Sequence, residues 1–359
     1  MLDKKAFFGE GWHLIVIFLI LWESPLNASI ILVPSDYPTI QQAIESAFPG
    51  DEIIVTPGTY VENINFMGKN ITLRSSDPQD VSVRDATIID GNRAGSVVTF
   101  QGTETTSCVL AGFTIQNGKT HYNGVGINGN ECFSLIEYNK ITRNDAYKTT
   151  PSGGGISECN GTIRYNVISE NKARVGGGLY DCDGEIRENQ IIKNESYLEG
   201  GGLQGCDGYI HNNLISWNIS NENGGGLYGC HGTVANNNIT SNTADSPNDY
   251  VTNSSSGGGL YGCNGRIIEN FISGNSAVVA SDRNDDGYGG GLASCNGKII
   301  NNIIQNNFSE HNGGGLHSCE GNIRNNLISD NKSPRGGGLS SCFGNIQNNL
   351  IIYNQAKWG

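Results

Sequence analysis

The sequence predicts an all-β fold: a single-stranded right-handed parallel β-helix of triangular coils of about 23 residues, closed at its N-terminal end by an amphipathic helix. Three observations carry this. Glycine supplies 51 of the 359 residues and asparagine 45. One pattern, C-x-G-x-I-x-x-N-x-I-x-x-N, returns nine times from Cys132 onward, the first copy with FSL in place of x-G-x, and a variable stretch and a glycine triplet follow each of the first eight. Within it, apolar residues alternate at period two, the spacing of a strand with one buried face.

The glycine excess excludes helical folds, since each glycine costs about 1 kcal/mol in a helix interior. Collagen is excluded because the glycines come in triplets, and disorder because 36% of the residues are hydrophobic and recur in order. Three columns run through all nine copies. The first is Cys132, Cys159, Cys182, Cys206, Cys230, Cys263, Cys295, Cys319 and Cys342. Asparagines follow at seven and twelve residues after each cysteine, from Asn139 and Asn144 to Asn349 and Asn354. Cys, Gly and Ile form one strand, Asn-x-Ile a second, and the glycine triplet with Leu a third. Each three-residue step to an asparagine breaks the alternation and makes a corner. Coils stacked about 4.8 Å apart then lay like residues on like, and inward asparagines hydrogen-bond along the stack. Leucine-rich repeats need an L-x-x-L-x-L strand and a back that glycine triplets would spoil.

The N-terminus is read as three parts. Residues 1–28 form a secretory signal: Lys4 and Lys5, the apolar run Leu14 to Trp22, and Ala28 as the cleavage point. This places the protein outside the cell or at its surface. The apolar run is too short to span a bilayer comfortably, and no other segment is expected to insert. Residues 29–107 hold a cap helix and the first coils, with strands at Ile30–Val33, Glu52–Val55, Ile71–Leu73, Thr87–Ile89 and Val97–Phe100. Thr39 to Gln42 reads as a capping box, and Ile40, Ala43, Ile44 and Ala47 share one helix face. Residues 108–359 are the regular repeats. Gly359 falls where the first glycine of another triplet is due, so a longer natural chain is expected.

These residues carry a resemblance. VPSDYPTIQQAIESAFPGDEIIVTPGTYVENI looks like the opening of secreted parallel β-helix proteins of the pectin-lyase-like superfamily. TIIDGNRAGSVVTF and VLAGFTIQNG resemble its next coils. The I-x-x-N-x-A-x-x-GGGL register of ISENKARVGGGL is similar to the repeats of polymorphic outer-membrane proteins, which are autotransporter adhesins. The resemblance covers residues 30–359 and implies the fold. For function it implies either an adhesin or a polysaccharide lyase, hydrolase or epimerase, because one fold hosts both.

Net charge is −13, and −12 once Lys4, Lys5, Asp3, Glu10 and Glu23 leave with the signal. Nucleic-acid binding is therefore not expected, since it needs a basic footprint. The expected partner is an extracellular polysaccharide or cell-surface glycan, bound by a monomer. Insertions collect at one corner, in 145–152, 243–256 and 276–288. Beside it, the residue after each Leu is expected to point outward: Ser157, Tyr180, Gln204, Tyr228, Tyr261, Ala293, His317 and Ser340. Tyr180, Tyr228, Tyr261 and His317 are the candidate ligand-binding residues, because tyrosine rings pack on sugars while their hydroxyls hydrogen-bond. Tyr122, Tyr147, Tyr197, Tyr250 and Tyr288 add to this face. Asp282, Asn284 and Asp286 match the first half of a calcium loop, but Ala293 stands where the closing glutamate belongs. For a lyase, the outward candidates are Arg164, Arg187 and His211, with Glu158, Asp181, Asp183 and Asp207; they form no catalytic signature. His121, His231 and His311 are isolated. The cysteines lack any C-x-x-C spacing and read as a column of buried free thiols. The preferred reading is a non-catalytic scaffold for adhesion or carbohydrate binding. The alternatives are a polysaccharide-cleaving or epimerising enzyme, and a purely structural stalk.

Overall fold

The computed structural model describes residues 28–146, 152–246, 255–279 and 287–358. Residues 1–27, which hold nearly all of the expected signal, lie outside the described residues, as does the calcium-loop triad Asp282, Asn284 and Asp286.

The chain winds into a parallel β-helix solenoid. Four all-parallel sheets run along it, of 13, 12, 11 and 8 strands, here called sheets A, B, C and D. In one coil, Leu179–Tyr180 belongs to sheet C, Glu185–Arg187 to A, Gln190–Ile192 to B and Glu195–Ser196 to D. Register places like on like: Ile163 opposite Ile186 opposite Ile210, and Leu179 opposite Leu203 opposite Leu227. Sheet A continues without a break from Ile30–Val33 to Asn345–Gln347.

The expected three strands per coil become four from Lys172 onward. The stretch after the second asparagine, read as loop, begins with a short strand such as Lys172–Ala173 or Thr243–Ser246. Its inward residue is small (Ala173, Ser196, Ser220, Ala244, Ala277 and Ser309 are all buried) because the glycine triplet packs close by. A Cβ on Gly177 would lie 2.5 Å from the Gly201 carbonyl oxygen and 2.6 Å from that of Glu195.

The corners follow one rule. The residue before each inward Cys or Asn takes a left-handed conformation: Asp181 (φ 51°), Glu188 (φ 55°) and Lys193 (φ 57°) in one coil, with Gly176 (φ 61°) opening the triplet. For a non-glycine residue this costs about 1–2 kcal/mol. The asparagine that follows offsets it. Asn189 accepts at Oδ1 from the Asn166 backbone N–H at 2.9 Å and from Asn166 Nδ2 at 3.1 Å. Its own Nδ2 donates to the Ile163 carbonyl at 2.8 Å and to Asn213 Oδ1 at 3.1 Å. Both amide hydrogens and the oxygen are thus satisfied in a dry interior, which is what a buried amide requires.

Stacking on both sides is what buries the core. Ile328 lies between two coils and is 0% exposed, whereas Ile351, with a coil on one side, is 47% exposed. Burying such a side chain contributes roughly 1.5–3 kcal/mol. Cys108 to Cys319 are buried and Cys342 half-buried, all as free thiols; Cys132 Sγ and Cys159 Sγ are 3.5 Å apart.

At the N-terminal end, helix α1 (Ile40–Ser46) covers the first coil with Ile40, Ala43 and Ile44. Thr39 Oγ1 accepts from Gln42 N–H at 3.2 Å, the expected half of the capping box. The Glu62 carboxylate takes the Ile40 and Gln41 N–H groups at 3.0 and 2.9 Å. A second helix, α2 (Val81–Ala86), was not expected; Asp80 caps it, and it buries no residue.

Candidate functional site

Inward columns serve the fold, so a binding site has to be built from the outward ones. In the first half of sheet A, outward basic groups meet acids from the same or a neighbouring coil. Arg164 Nε lies 2.7 Å from Glu137 Oε2, and His211 Nε2 lies 3.1 Å from Glu185 Oε1. Arg187 pairs with Glu185 at 3.2 Å and with Glu188, and it also lies over the Tyr165 ring at 5.5 Å. Tyr165 stacks on Tyr138 at 5.0 Å, and Tyr209 on His211 at 4.0 Å. Partial burial works against the Glu185 charge, but bonds from His211 and Arg187 hold its carboxyl below the ordinary value. Arg164 and Arg187 are therefore engaged in ion pairs within the protein, and His211 in a hydrogen-bond contact with Glu185.

The acids flanking the cysteines divide into two kinds. Asp183 and Asp207 belong to a ladder of acceptors, each taking the backbone N–H of the next coil. Asp183 bonds Asp207 N–H at 2.7 Å, Asp207 bonds His231 N–H at 2.6 Å, and His231 Nδ1 takes Asn264 N–H at 3.3 Å. Asn264 and Asn296 continue it. This ladder was readable as the Asn160, Asp183, Asp207, His231, Asn264 column, in which every member carries an acceptor. Glu158 takes a hydrogen bond from Asn123 at 2.9 Å. Burial, with the charges of Asp183 and Glu158 beside it, pushes the Asp181 carboxyl up.

The column after each Leu lies on the outer side of sheet C but is partly covered. Ser157 and Ala293 are buried, and Tyr180, Tyr228, Tyr261 and His317 are half-buried. Tyr228 and Tyr261 stack on each other at 5.4 Å and 8°, while Tyr288 stacks on His317 at 4.6 Å. Burial and the Glu199 charge raise the Tyr228 phenol, and burial likewise raises the Glu199 carboxyl to which it bonds. The ridge therefore offers ring edges and hydroxyls more than open faces. Tyr122 is 78% exposed at its margin. Tyr147 and Tyr250 lie outside the described residues. Among the described residues no group of three or more His, Cys, Asp or Glu is arranged to hold a metal ion, and no helix is long and apolar enough to cross a membrane.

The outer surface holds a notch that the sequence reading did not single out. In sheet A, Thr233 and Ala235 sit between Tyr209 and His211 on one coil and Arg266 and Ile268 on the next. Two small side chains between larger ones leave a depression of about 410 Å³. Tyr209 forms one wall, Arg266 the other, Thr233 and Ala235 the floor, and Asn236 and Glu269 the end. Tyr209 remains 44% exposed. The signal was the third residue after each cysteine, read as a column: Glu185, Tyr209, Thr233, Arg266, Lys298.

A second depression, of about 670 Å³, lies at the start of sheet C between Gln41, Asn65, Met67 and Gln101. Its amides are tied together: Gln41 Oε1 takes Asn65 N–H at 2.8 Å, and Gln101 Nε2 donates to Asn65 Oδ1 at 3.2 Å.

No protein-family model, no curated protein and no solved structure matches this chain.

Proposed function

We propose that this chain is a secreted or cell-surface scaffold that binds carbohydrate without transforming it, its coils resembling those of the pectin-lyase-like superfamily and of polymorphic outer-membrane adhesins. The observation that carries this reading is the notch on sheet A. An exposed tyrosine, a guanidinium, an amide, a carboxylate and a hydroxyl line one depression, and sugars are held by this mixture of ring contact and hydrogen bonding. The ridge of Tyr180, Tyr228, Tyr261 and His317 adds a second outward row, of three phenol hydroxyls and an imidazole. The non-catalytic part is supported by the engagement of Arg164, Arg187 and His211 with internal acids. A lyase needs such groups free to neutralise a substrate carboxylate and to take its α-proton.

The test is a glycan array of neutral and charged polysaccharides, paired with incubation on pectate, alginate and glycosaminoglycans with and without calcium. Binding without new unsaturated-uronate absorbance is expected, with Tyr209→Ala weakening it and Tyr228→Ala weakening it less. Uronate absorbance rising with time would favour the enzyme reading. A silent array with both variants indistinguishable from the parent would favour a stalk.

A further inference from the structure

Beyond the notch, the outer face of sheet A changes character. Arg266 and Lys298 are register partners on adjacent strands, and Arg324 lies on the next strand opposite Ile300, two residues along from Lys298. Three cations thus occupy three successive coils of one face. None has an ion pair among the described residues. In the first half of the same sheet, Arg74 pairs with Glu52, Arg164 with Glu137, and Arg187 with Glu185. Like charges directly opposite on neighbouring strands repel. In a chain carrying 35 acidic residues against 22 basic ones, an unpaired basic cluster stands out from the rest of the face. One donor there is also unsatisfied. Arg324 Nε is buried without a hydrogen-bond partner.

We infer that Arg266, Lys298 and Arg324 form a site for the sulfate or phosphate ester of a glycan, entered from the notch. Guanidinium and ammonium donors on three coils suit a tetrahedral oxyanion, whose several terminal oxygens accept from several directions. One guanidinium fork already satisfies both oxygens of a planar carboxylate. Arg266 is shared between the cluster and the notch, so a sugar ring beside Tyr209 and Thr233 would direct its charged substituent toward Lys298. This site rests on the carbohydrate reading and gives it a substrate class.

The experiment uses one backbone with four charges: dextran, carboxymethyl dextran, dextran sulfate and dextran phosphate, each immobilised and titrated with the protein. Binding to the sulfate or the phosphate polymer, whichever is the true chemistry, is expected to exceed binding to the carboxymethyl polymer. The triple variant Arg266→Ala/Lys298→Ala/Arg324→Ala is expected to lose at least roughly tenfold in affinity for that polymer, the size of one charge-assisted hydrogen bond. Lys298→Gln alone, at an exposed position that the fold does not need, is expected to lose several-fold, and Arg164→Ala to lose nothing. Equal binding to the carboxymethyl polymer, or a folded triple variant that binds as the parent does, overturns the inference. Binding to neutral dextran alone sinks the oxyanion site and leaves the carbohydrate reading standing. Silence on every polymer and on the glycan array sinks both.

Discussion

Replacing Asn213 by alanine removes one rung of the first asparagine ladder. Asn213 is 2% exposed. Its Oδ1 accepts from the Asn189 backbone N–H at 2.9 Å and from Asn189 Nδ2 at 3.1 Å. Its Nδ2 donates to the Ile186 carbonyl at 2.8 Å and to Asn237 Oδ1 at 3.0 Å. Asn237 Oδ1 keeps its bond from the Asn213 backbone N–H at 2.9 Å, so it is not orphaned. Two donor hydrogens of Asn189 are: its backbone N–H and one of the two on Nδ2, the other staying on the Ile163 carbonyl. A buried donor without a partner costs about 1–3 kcal/mol, so the pair amounts to roughly 2–6 kcal/mol. Against a domain stability of about 5–15 kcal/mol this is large. Because a solenoid is coupled chiefly through neighbouring coils, the loss should spread through the adjacent rungs. Urea unfolding followed by far-UV circular dichroism measures it. Asn238→Ala, at an exposed position one residue beyond the neighbouring rung, serves as control and should stay within about 0.5 kcal/mol. Asn213→Asp should be at least as damaging at neutral pH, because an oxygen then faces the Ile186 and Asn237 oxygens. A loss below about 1 kcal/mol for the alanine variant, or an aspartate tolerated as well as asparagine, would refute the ladder as a source of stability.

Two glycines should differ in what a side chain costs. Gly177→Ala drives a Cβ against two carbonyl oxygens at 2.5 and 2.6 Å and should destabilise by several times the roughly 1 kcal/mol of Gly229→Ala; equal losses in thermal melts would contradict the packing argument. Gly229 has φ 59° and nothing within 4 Å of an added Cβ. Its column already accepts Asp181, Ser294 and Ser318 in the same left-handed conformation, so Gly229→Asn should be close to neutral. Buried Cys108, which precedes the nine-member thiol column, predicts an alkaline limit. Burial pushes the Cys108 thiol from 9.0 up to about 12. A thiol whose folded pKa is raised contributes stability that is complete below its unfolded pKa and is lost as pH climbs beyond it, so melting temperature should fall above about pH 9 and fall less in Cys108→Ala. In native protein a thiol reagent should reach half-buried Cys342 first, with the inner thiols reacting only on unfolding; rapid native reaction of Cys206 would contradict its burial.

The inward half of this molecule was legible because it repeats. Cys, Ile, Asn and Leu return at fixed offsets, and a period-two strand leaves an inward residue one choice of face. The ladders and the buried thiols follow from that, while the cap helix of Ile40, Ala43 and Ile44 was legible from its capping box and its apolar face. Other features were less visible. The fourth strand at Lys172–Ala173 is two residues long and has no β-branched signature. The corner residues Tyr138, Glu188, Lys193 and Trp217 adopt positive φ although their types do not favour it. The asparagine next in the chain compensates each through hydrogen bonds to neighbouring coils, which no local propensity records.

The sequence alone determined the stacking, because identical columns have one low-energy register. Tertiary structure decided the outer face. Whether Arg164 is free or paired depends on Glu137, 27 residues away and one coil below, and on the reach of both side chains. Thr233 and Ala235 become the floor of a notch only because the coils on either side place Tyr209 and Arg266 there. Outward residues have no common core to obey, so their chemistry is set by neighbours along the solenoid axis and not by neighbours along the chain.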